Sequence, residues 1–160
     1  MKRVFCGGAL AAALCAGAWA QGVSGYVFGA PGGLTGSART VATLQAGAGV
    51  ELALPKGFGA GVEVGAVSAV NSWGDSTVGV FAPGGTYHFR RGRDRRFDPY
   101  AAAGYTMFFR DGRANLFHYG GGVNYWVLRH VGARLEVRDQ VGTIDGTVHY
   151  WGFRFGVTVR

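Results

Sequence analysis

The sequence predicts an all-β fold, and three of its features support this prediction. Glycine accounts for 30 of the 160 residues, far above the roughly 7% of an average protein. These glycines are interspersed with Val, Tyr, Phe and Trp, a combination that disfavours helix and favours strands with tight turns. Apolar residues also alternate with polar or small ones over long segments, the period-two pattern of strands.

The first twenty residues have the features of a cleavable Sec-type signal peptide. Lys2 and Arg3 precede an apolar stretch, and Ala18-Trp19-Ala20 matches the small-x-small pattern of a signal-peptidase site. The chain is therefore divided into a signal peptide, 1–20, and a mature part, 21–160, whose length suits one domain.

Both cysteines, Cys6 and Cys15, lie in the segment that is predicted to be removed. The mature chain would then have no thiol, no disulfide and no cysteine-based metal site. The bulky Leu14 before Cys15 disfavours the alternative of lipoprotein processing. Subtracting Lys2 and Arg3 from the formal net charge of +7 leaves about +5.

Eight candidate strands follow, separated by turn residues or charged runs. They are Val23–Ala30, Val41–Leu54, Phe58–Val70, Thr77–Phe89, Phe97–Arg110, Asn115–Leu128, Val131–Val141 and Val148–Val159. Long strands with short connections predict an antiparallel up-and-down meander, which removes its exposed edges by closing into a barrel. In the fourth strand, Pro83 cannot donate to a ladder, so we expect a bulge or kink there.

The two faces of these strands indicate the environment of the barrel. In the seventh strand Ala133, Leu135 and Val137 share one face. An apolar face can point into a soluble, lipocalin-like barrel or outward into lipid. A face exposed to water should be rich in lysine and glutamate, but Lys56 is the only lysine of the predicted mature chain and the polar face is largely small residues. We therefore predict a transmembrane barrel.

Six charged residues on the polar face would then lie in the barrel interior. Burial of charges is costly unless they pair, so we expect them to form a lumen charge network. They are Glu51, Glu63, Arg134, Glu136, Arg138 and Arg154. Aromatic residues near strand ends are expected to form interfacial girdles; those singled out are Phe58, Phe89, Phe97, Phe108, Phe109, Phe117, Tyr125 and Trp126.

The signal peptide, the eight strands and the segment "YGGGVNYWVLRHVGARLEVRD" resemble the small outer-membrane β-barrel proteins of Gram-negative bacteria, the porin-family group around the OmpA transmembrane domain and OmpX. The resemblance covers nearly the whole mature chain. It implies a monomer with both termini in the periplasm, surrounded by outer-membrane lipids and lipopolysaccharide and inserted by the outer-membrane assembly machinery. Such proteins often end on an aromatic residue, whereas this chain ends on Val159-Arg160.

Candidate catalytic residues were sought because some eight-stranded barrels modify lipid A. A deacylase of that kind would need serine two residues from histidine on an outward face. None of the four histidines is followed by serine at that spacing: the residues found there are Gly120 after His118, Trp151 after His149, Arg90 after His88 and Gly132 after His130. We predict no catalytic residue, cofactor or metal site, a hydrogen-bonding role for His118 in the lumen and an interfacial position for His149.

An arginine-rich run connects the fourth and fifth strands. Its members are Arg90, Arg91, Arg93, Arg95 and Arg96. Such a cluster can bind nucleic acid in a cytosolic protein, which export disfavours. We interpret it as a periplasmic turn that contacts anionic lipid phosphates; a specific periplasmic partner is the alternative.

Together these features predict a small non-enzymatic outer-membrane barrel with a structural or envelope role. Eight strands leave an interior that side chains can fill, so we expect at most a narrow pore. The alternatives are a soluble periplasmic lipocalin-like barrel that binds a lipid and, less favoured, a lipid A-modifying enzyme.

Overall fold

The computed structural model describes residues 22–36, 40–72, 76–89, 96–110, 112–143 and 147–160. The predicted signal peptide lies outside these ranges and stays a prediction. In the described part of the chain, no helix is long and apolar enough to cross a membrane.

Eight antiparallel strands form one closed barrel in the order of the sequence, with β1 pairing both β2 and β8. The fold predicted from the sequence is therefore confirmed. The strands are β1 (Gly22–Thr35), β2 (Thr40–Ala53), β3 (Phe58–Ala69), β4 (Val78–His88), β5 (Phe97–Phe109), β6 (Arg113–Trp126), β7 (Val131–Thr143) and β8 (Thr147–Val159). Two short 3₁₀ segments, Pro55–Gly57 and Val70–Ser72, lie in connections.

The first strand is longer than its sequence indicated. It continues beyond Ala30, where the predicted strand ended, to Thr35, so the prediction that Pro31-Gly32-Gly33 begins a connection is wrong. Pairing with β8 stops after Gly29 and resumes at Gly32 in the same register, while pairing with β2 is continuous. The ladder tolerates the proline because pairing is interrupted towards only one neighbour.

Pro83 behaves in the same way, and the predicted bulge in β4 is wrong. The β4–β5 ladder is interrupted after Phe81, opposite Met107, and resumes at Gly84, opposite Gly104, without a change of register. The in-and-out alternation also continues, since Phe81 is exposed and Ala82 is buried.

The two ends of the barrel differ in their connections. We call the end that holds Gly22 and Arg160 the terminal end; its connections are 54–57, 89–96 and 127–130. The opposite loop end has connections 36–39, 70–77, 110–112 and 144–146. At the terminal end, Lys56 and Gly57 adopt positive φ values of 64° and 88°, which allow a tight reversal between β2 and β3.

The outer surface is apolar and the interior is largely polar. Leu135, Phe153 and Phe155 are about half exposed, whereas Arg134 is buried. Two residues assigned to the aromatic girdles point inward instead. Phe108 packs against an interior cluster that includes Tyr150. Trp126 is buried, and the guanidinium carbon of Arg160 lies 3.9 Å from the centre of its ring. Each is adjacent in the chain to an aromatic residue that faces outward, Phe109 and Tyr125 respectively, so aromatic character alone did not indicate which side of the strand it occupies.

Candidate functional site: an ion-pair plug in the barrel interior

The six charged residues predicted for the lumen lie together in the middle of the barrel. Each is at least nine-tenths buried and belongs to one connected set of ion pairs. Three carboxylates face three guanidiniums, so the formal charges balance. We call this set, with the side chains that bond to it, the plug.

Glu63 on β3 accepts two arginines from the opposite side of the barrel. The guanidinium of Arg138 donates to both carboxylate oxygens, at 2.7 and 3.0 Å, and that of Arg154 does so at 2.8 and 3.1 Å. The hydroxyl of Tyr26 adds a third donor at 2.6 Å. These bonds tie β3 to β7, β8 and β1 across the interior, and charge-assisted, paired bonds of this kind are the strongest available to side chains.

Glu136 on β7 is the second centre of the plug. It accepts bonds from Arg154 at 3.1 Å and from the Nε of Arg138. The hydroxyl of Tyr100 donates to its other oxygen at 2.7 Å, and Arg134 lies 3.4 Å from that oxygen. Five different side chains thus donate hydrogen bonds to the carboxylates of Glu63 and Glu136, and each carboxylate has at least three donors. These bonds offset the water that the two carboxylates lose on burial.

Arg134 is held between two aromatic rings. Its guanidinium carbon lies 4.1 Å from the ring centre of Tyr26 and 4.3 Å from that of Tyr100, distances at which a cation is attracted to a ring face. Its carboxylate partners are Glu136 and, at 3.5 Å, Glu51. Arg154 is placed similarly on Phe28, at 3.6 Å. The aromatic rings therefore orient the guanidiniums as well as fill the barrel.

A histidine extends the plug towards the terminal end. His88 Nε2 lies 2.6 Å from Glu51, and Nδ1 lies 3.0 Å from both carboxylate oxygens of Asp98. Thr86 also donates to Glu51, at 3.1 Å. An imidazole between two carboxylates is stabilised in its charged form, and it carries the network from the middle of the barrel to the periphery.

Glycines on the interior face provide the space that these large side chains occupy. A Cβ added to Gly49 would lie 2.5 Å from Tyr26 Cζ, and one added to Gly122 would lie 2.6 Å from the hydroxyl of Tyr100. Gly47 faces Phe28 in the same way, at 2.8 Å. The high glycine content of the polar face therefore has a packing reason, since each ring lies flat against a neighbouring strand.

The plug leaves almost no space for passage. The cavity among Tyr26, Glu51, Glu63, Arg134 and Arg138 measures about 20 Å³, roughly the room for one water molecule. Larger spaces lie on either side of it. A vestibule of about 270 Å³ opens at the terminal end, and a cavity of about 570 Å³ opens at the loop end.

The fold is that of the small outer-membrane β-barrels. Neisserial surface protein A matches with a TM-score of 0.73 and 14% identity over 88% of this chain and 97% of that one. The N-terminal β-barrel domain of OprF from Pseudomonas aeruginosa matches with a TM-score of 0.63 and 18% identity over 86% and 95%.

A third small outer-membrane barrel, OprG of Pseudomonas aeruginosa, has a TM-score of 0.57 and 12% identity over 88% of this chain and 96% of that one. The recognition of the sequence as this type of barrel is confirmed, and its predicted outer-membrane location is that of these proteins. No protein-family model and no curated protein matches the chain.

The remaining predicted residues are scattered. Thr106 Oγ1 lies 2.9 Å from Nδ1 of the buried His118, and His149 lies on the outer surface, 2.9 Å from Asp139. Within the described ranges, no group of three or more His, Cys, Asp or Glu side chains is arranged to hold a metal ion. In the arginine run, Arg90, Arg91, Arg93 and Arg95 lie outside the described residues. Arg96 is described, and its carbonyl accepts the backbone N–H of Trp126 at 2.7 Å.

Sequence reasoning missed several members of the plug. Tyr26, His88, Asp98 and Tyr100 were not singled out. The signal was present for Tyr100, because it shares the parity of Ala102, Gly104 and Thr106, the small or polar residues of the fifth strand. A large tyrosine among small interior residues indicates a side chain that spans the lumen.

Proposed function

We propose that the protein is a small, monomeric, non-enzymatic barrel of the outer membrane, closed by its plug and serving a structural role in the envelope. Its terminal end would face the periplasm, and the outer-membrane assembly machinery would insert it. The observation that carries the proposal is the plug itself, because its residual cavity of about 20 Å³ is too small for a hydrated solute.

The exposed apolar belt favours this proposal over a lipocalin-like soluble barrel. A soluble barrel needs a polar exterior and an apolar interior, whereas here Val137, Phe153 and Phe155 are exposed and Glu136 is buried. Sodium carbonate extraction and a boiled-versus-unboiled gel test the location. Resistance to carbonate and a heat-dependent shift in migration are expected, and release into the soluble periplasm would contradict the proposal.

Planar bilayer recordings test the closed state. The parent protein should show no steady conductance. Arg138→Ala removes a side chain that crosses the lumen to Glu63, so this variant should show more frequent or larger openings, provided that its heat-shifted band confirms a folded barrel. Arg129→Ala, at an exposed position of the terminal end, is the matched control. A steady conductance of the parent would contradict a closed plug.

One cluster of polar side chains on the lipid-facing surface contains the histidine and the carboxylate of a candidate catalytic site, but the described residues lack an activated nucleophile. Asp139 Oδ2 accepts a bond from the hydroxyl of Tyr119 at 3.1 Å and lies 2.9 Å from His149 Nδ1. Thr35 stands opposite His149 in the register, but its hydroxyl bonds to that of Thr40 at 3.2 Å. An activated nucleophile needs a hydrogen bond to its base, and the described part of the cluster shows none. Incubation with lipopolysaccharide should leave the acyl content of lipid A unchanged in mass spectra.

We also propose that the arginine run between β4 and β5 contacts anionic lipid phosphates in the periplasmic leaflet. Clustered arginines beside a membrane are attracted to anionic lipids. Replacing Arg90, Arg91, Arg93 and Arg95 with glutamine should slow barrel folding into vesicles that contain phosphatidylglycerol. Folding into vesicles of phosphatidylcholine alone should be unaffected; an equal effect in both would contradict lipid contact.

A further inference from the structure

The interior of the loop end is apolar, in contrast to the plug. The lumen of an outer-membrane barrel is ordinarily polar, but the inward positions near this end carry aliphatic and aromatic side chains. They include Val67, Val78, Phe108, Leu116, Val148 and Tyr150. We call the cavity that they surround the loop-end cup.

The cup is deep and has a closed floor. Its volume is about 570 Å³, within the range of sites that bind small organic molecules, roughly 300 to 1,000 Å³. Leu116 and Tyr150 are almost completely buried at the floor, and Phe108 packs edge-on against Tyr150 with ring centres 5.8 Å apart. Along β8 the plug begins two interior positions further on, at Arg154. A molecule that enters the cup therefore cannot pass through it.

The polar groups of the cup are unevenly placed. Ser68 and Ser76, at its side, already bond to each other at 3.1 Å, and Ser76 also donates to the carbonyl of Ser72 at 2.7 Å. Among the described lining residues the charged side chains are Arg110 and Arg113, which are exposed and flank the connection between β5 and β6 at the rim. Among the described residues that line the cup, none is acidic. The site thus combines an apolar interior with a positive edge.

We propose that the loop-end cup binds a single long-chain carboxylate, with its hydrocarbon chain in the cup and its carboxylate beside Arg113. Each CH₂ group moved from water into such a site strengthens binding about fourfold, and an arginine at the rim favours an anionic head over a neutral one. This goes beyond the proposed function, because a barrel that is closed to passage can still hold a ligand in a blind cavity.

Methyl NMR of the protein in lipid nanodiscs, with dodecanoate as the probe, tests the proposal. Dodecanoate also dissolves in the bilayer, so the lipid-facing methyls of Leu135 and Val137 serve as an internal reference. The methyl signals of Val67, Val78 and Leu116, which line the cup, should shift saturably with the concentration of dodecanoate. Shifts that stay proportional to those of the lipid-facing methyls would mean partition into the bilayer only, and would overturn the proposal.

Three variants make the test specific to the cup. Ala114→Phe fills the cavity from its lining and should abolish the saturable shifts. Ala42→Phe adds the same side chain on the lipid-facing surface of β2 at the same end and should leave them unchanged. Arg113→Gln should weaken dodecanoate binding about threefold to fivefold. Heat-shifted migration on a gel checks that each variant is folded.

The neutral analogue dodecanol tests the role of the rim. We expect dodecanol to bind several-fold more weakly than dodecanoate, and Arg113→Gln to remove most of this difference. Equal binding of the two molecules would overturn the assignment of a carboxylate ligand. Undiminished binding of dodecanoate to folded Ala114→Phe would overturn the cup as the site.

Discussion

Glu136 and Arg154 are direct partners in the β7–β8 register, and their side chains form an ion pair of 3.1 Å inside the barrel. Arg154 simultaneously bonds to Glu63 on β3, at 2.8 Å. One arginine therefore joins neighbouring strands and strands that are far apart in the barrel. Because Arg154 pairs with both Glu63 and Glu136, its substitution tests the plug most directly.

Arg154→Met should strongly destabilise the barrel. Methionine retains the length of the side chain but leaves Glu63 and Glu136 with one cation fewer in a buried site. Removing one partner from a buried ion pair typically costs about 3–5 kcal/mol. Urea unfolding of the protein in phospholipid vesicles, followed by the heat-shifted band, measures the change. Arg129→Met, at an exposed position, should change the free energy of unfolding by no more than about 0.5 kcal/mol.

Gly49→Ala should also destabilise the barrel, for a steric reason. The added methyl would lie 2.5 Å from Tyr26 Cζ, so the ring would have to leave the position in which it contacts Arg134. Overpacking of this kind costs about 1–3 kcal/mol. Gly29→Ala is the control, because its Cβ would have no neighbour within 4 Å. Equal unfolding free energies for the two variants would contradict the proposed packing of Tyr26 against Gly49.

Leu135→Arg tests the lipid-facing assignment. Leu135 lies near the middle of β7 and is half exposed on the outer surface. An arginine near the bilayer midplane costs about 2–4 kcal/mol, against at most about 1 kcal/mol near the interface. Val131→Arg, at the terminal end of the same strand and face, should therefore cost much less. In detergent micelles the difference between the two variants should shrink, and a difference of the same size there would argue against lipid contact.

His88→Leu should weaken the terminal side of the plug. The change leaves Glu51 and Asp98 without the group that lies between them, which costs about 1–3 kcal/mol for buried polar groups. His88→Gln retains one amide donor and should recover part of this loss in the same urea unfolding measurement. His130→Leu, at an exposed turn position, is the control, because it removes only an exposed contact with the carbonyl of Arg160. If His88→Leu were as stable as the parent, the bridging role of the histidine would be wrong.

The period-two alternation predicted the strands and their two faces because a strand side chain points in or out according to its position alone. Leu135 and Glu136 could be assigned to opposite faces from their neighbours in the sequence. Element ends were predicted less well. Prolines such as Pro31 and Pro83 ordinarily indicate a turn or a bulge. Both lie within continuous strands here, because the hydrogen-bonded ladder is interrupted towards one neighbouring strand and continuous towards the other.

The alternation of residues along the chain was enough to predict a barrel, the inward face of most strands, and six buried charges that need partners. Which of these charges meet depends on the closed sheet, since Glu63 and Arg154 are brought together by its closure rather than by proximity in the chain. The same holds for the loop-end cup. Val67, Leu116 and Tyr150 come from three strands, and they form one apolar cavity because closure of the sheet places their inward positions at the same end of the barrel.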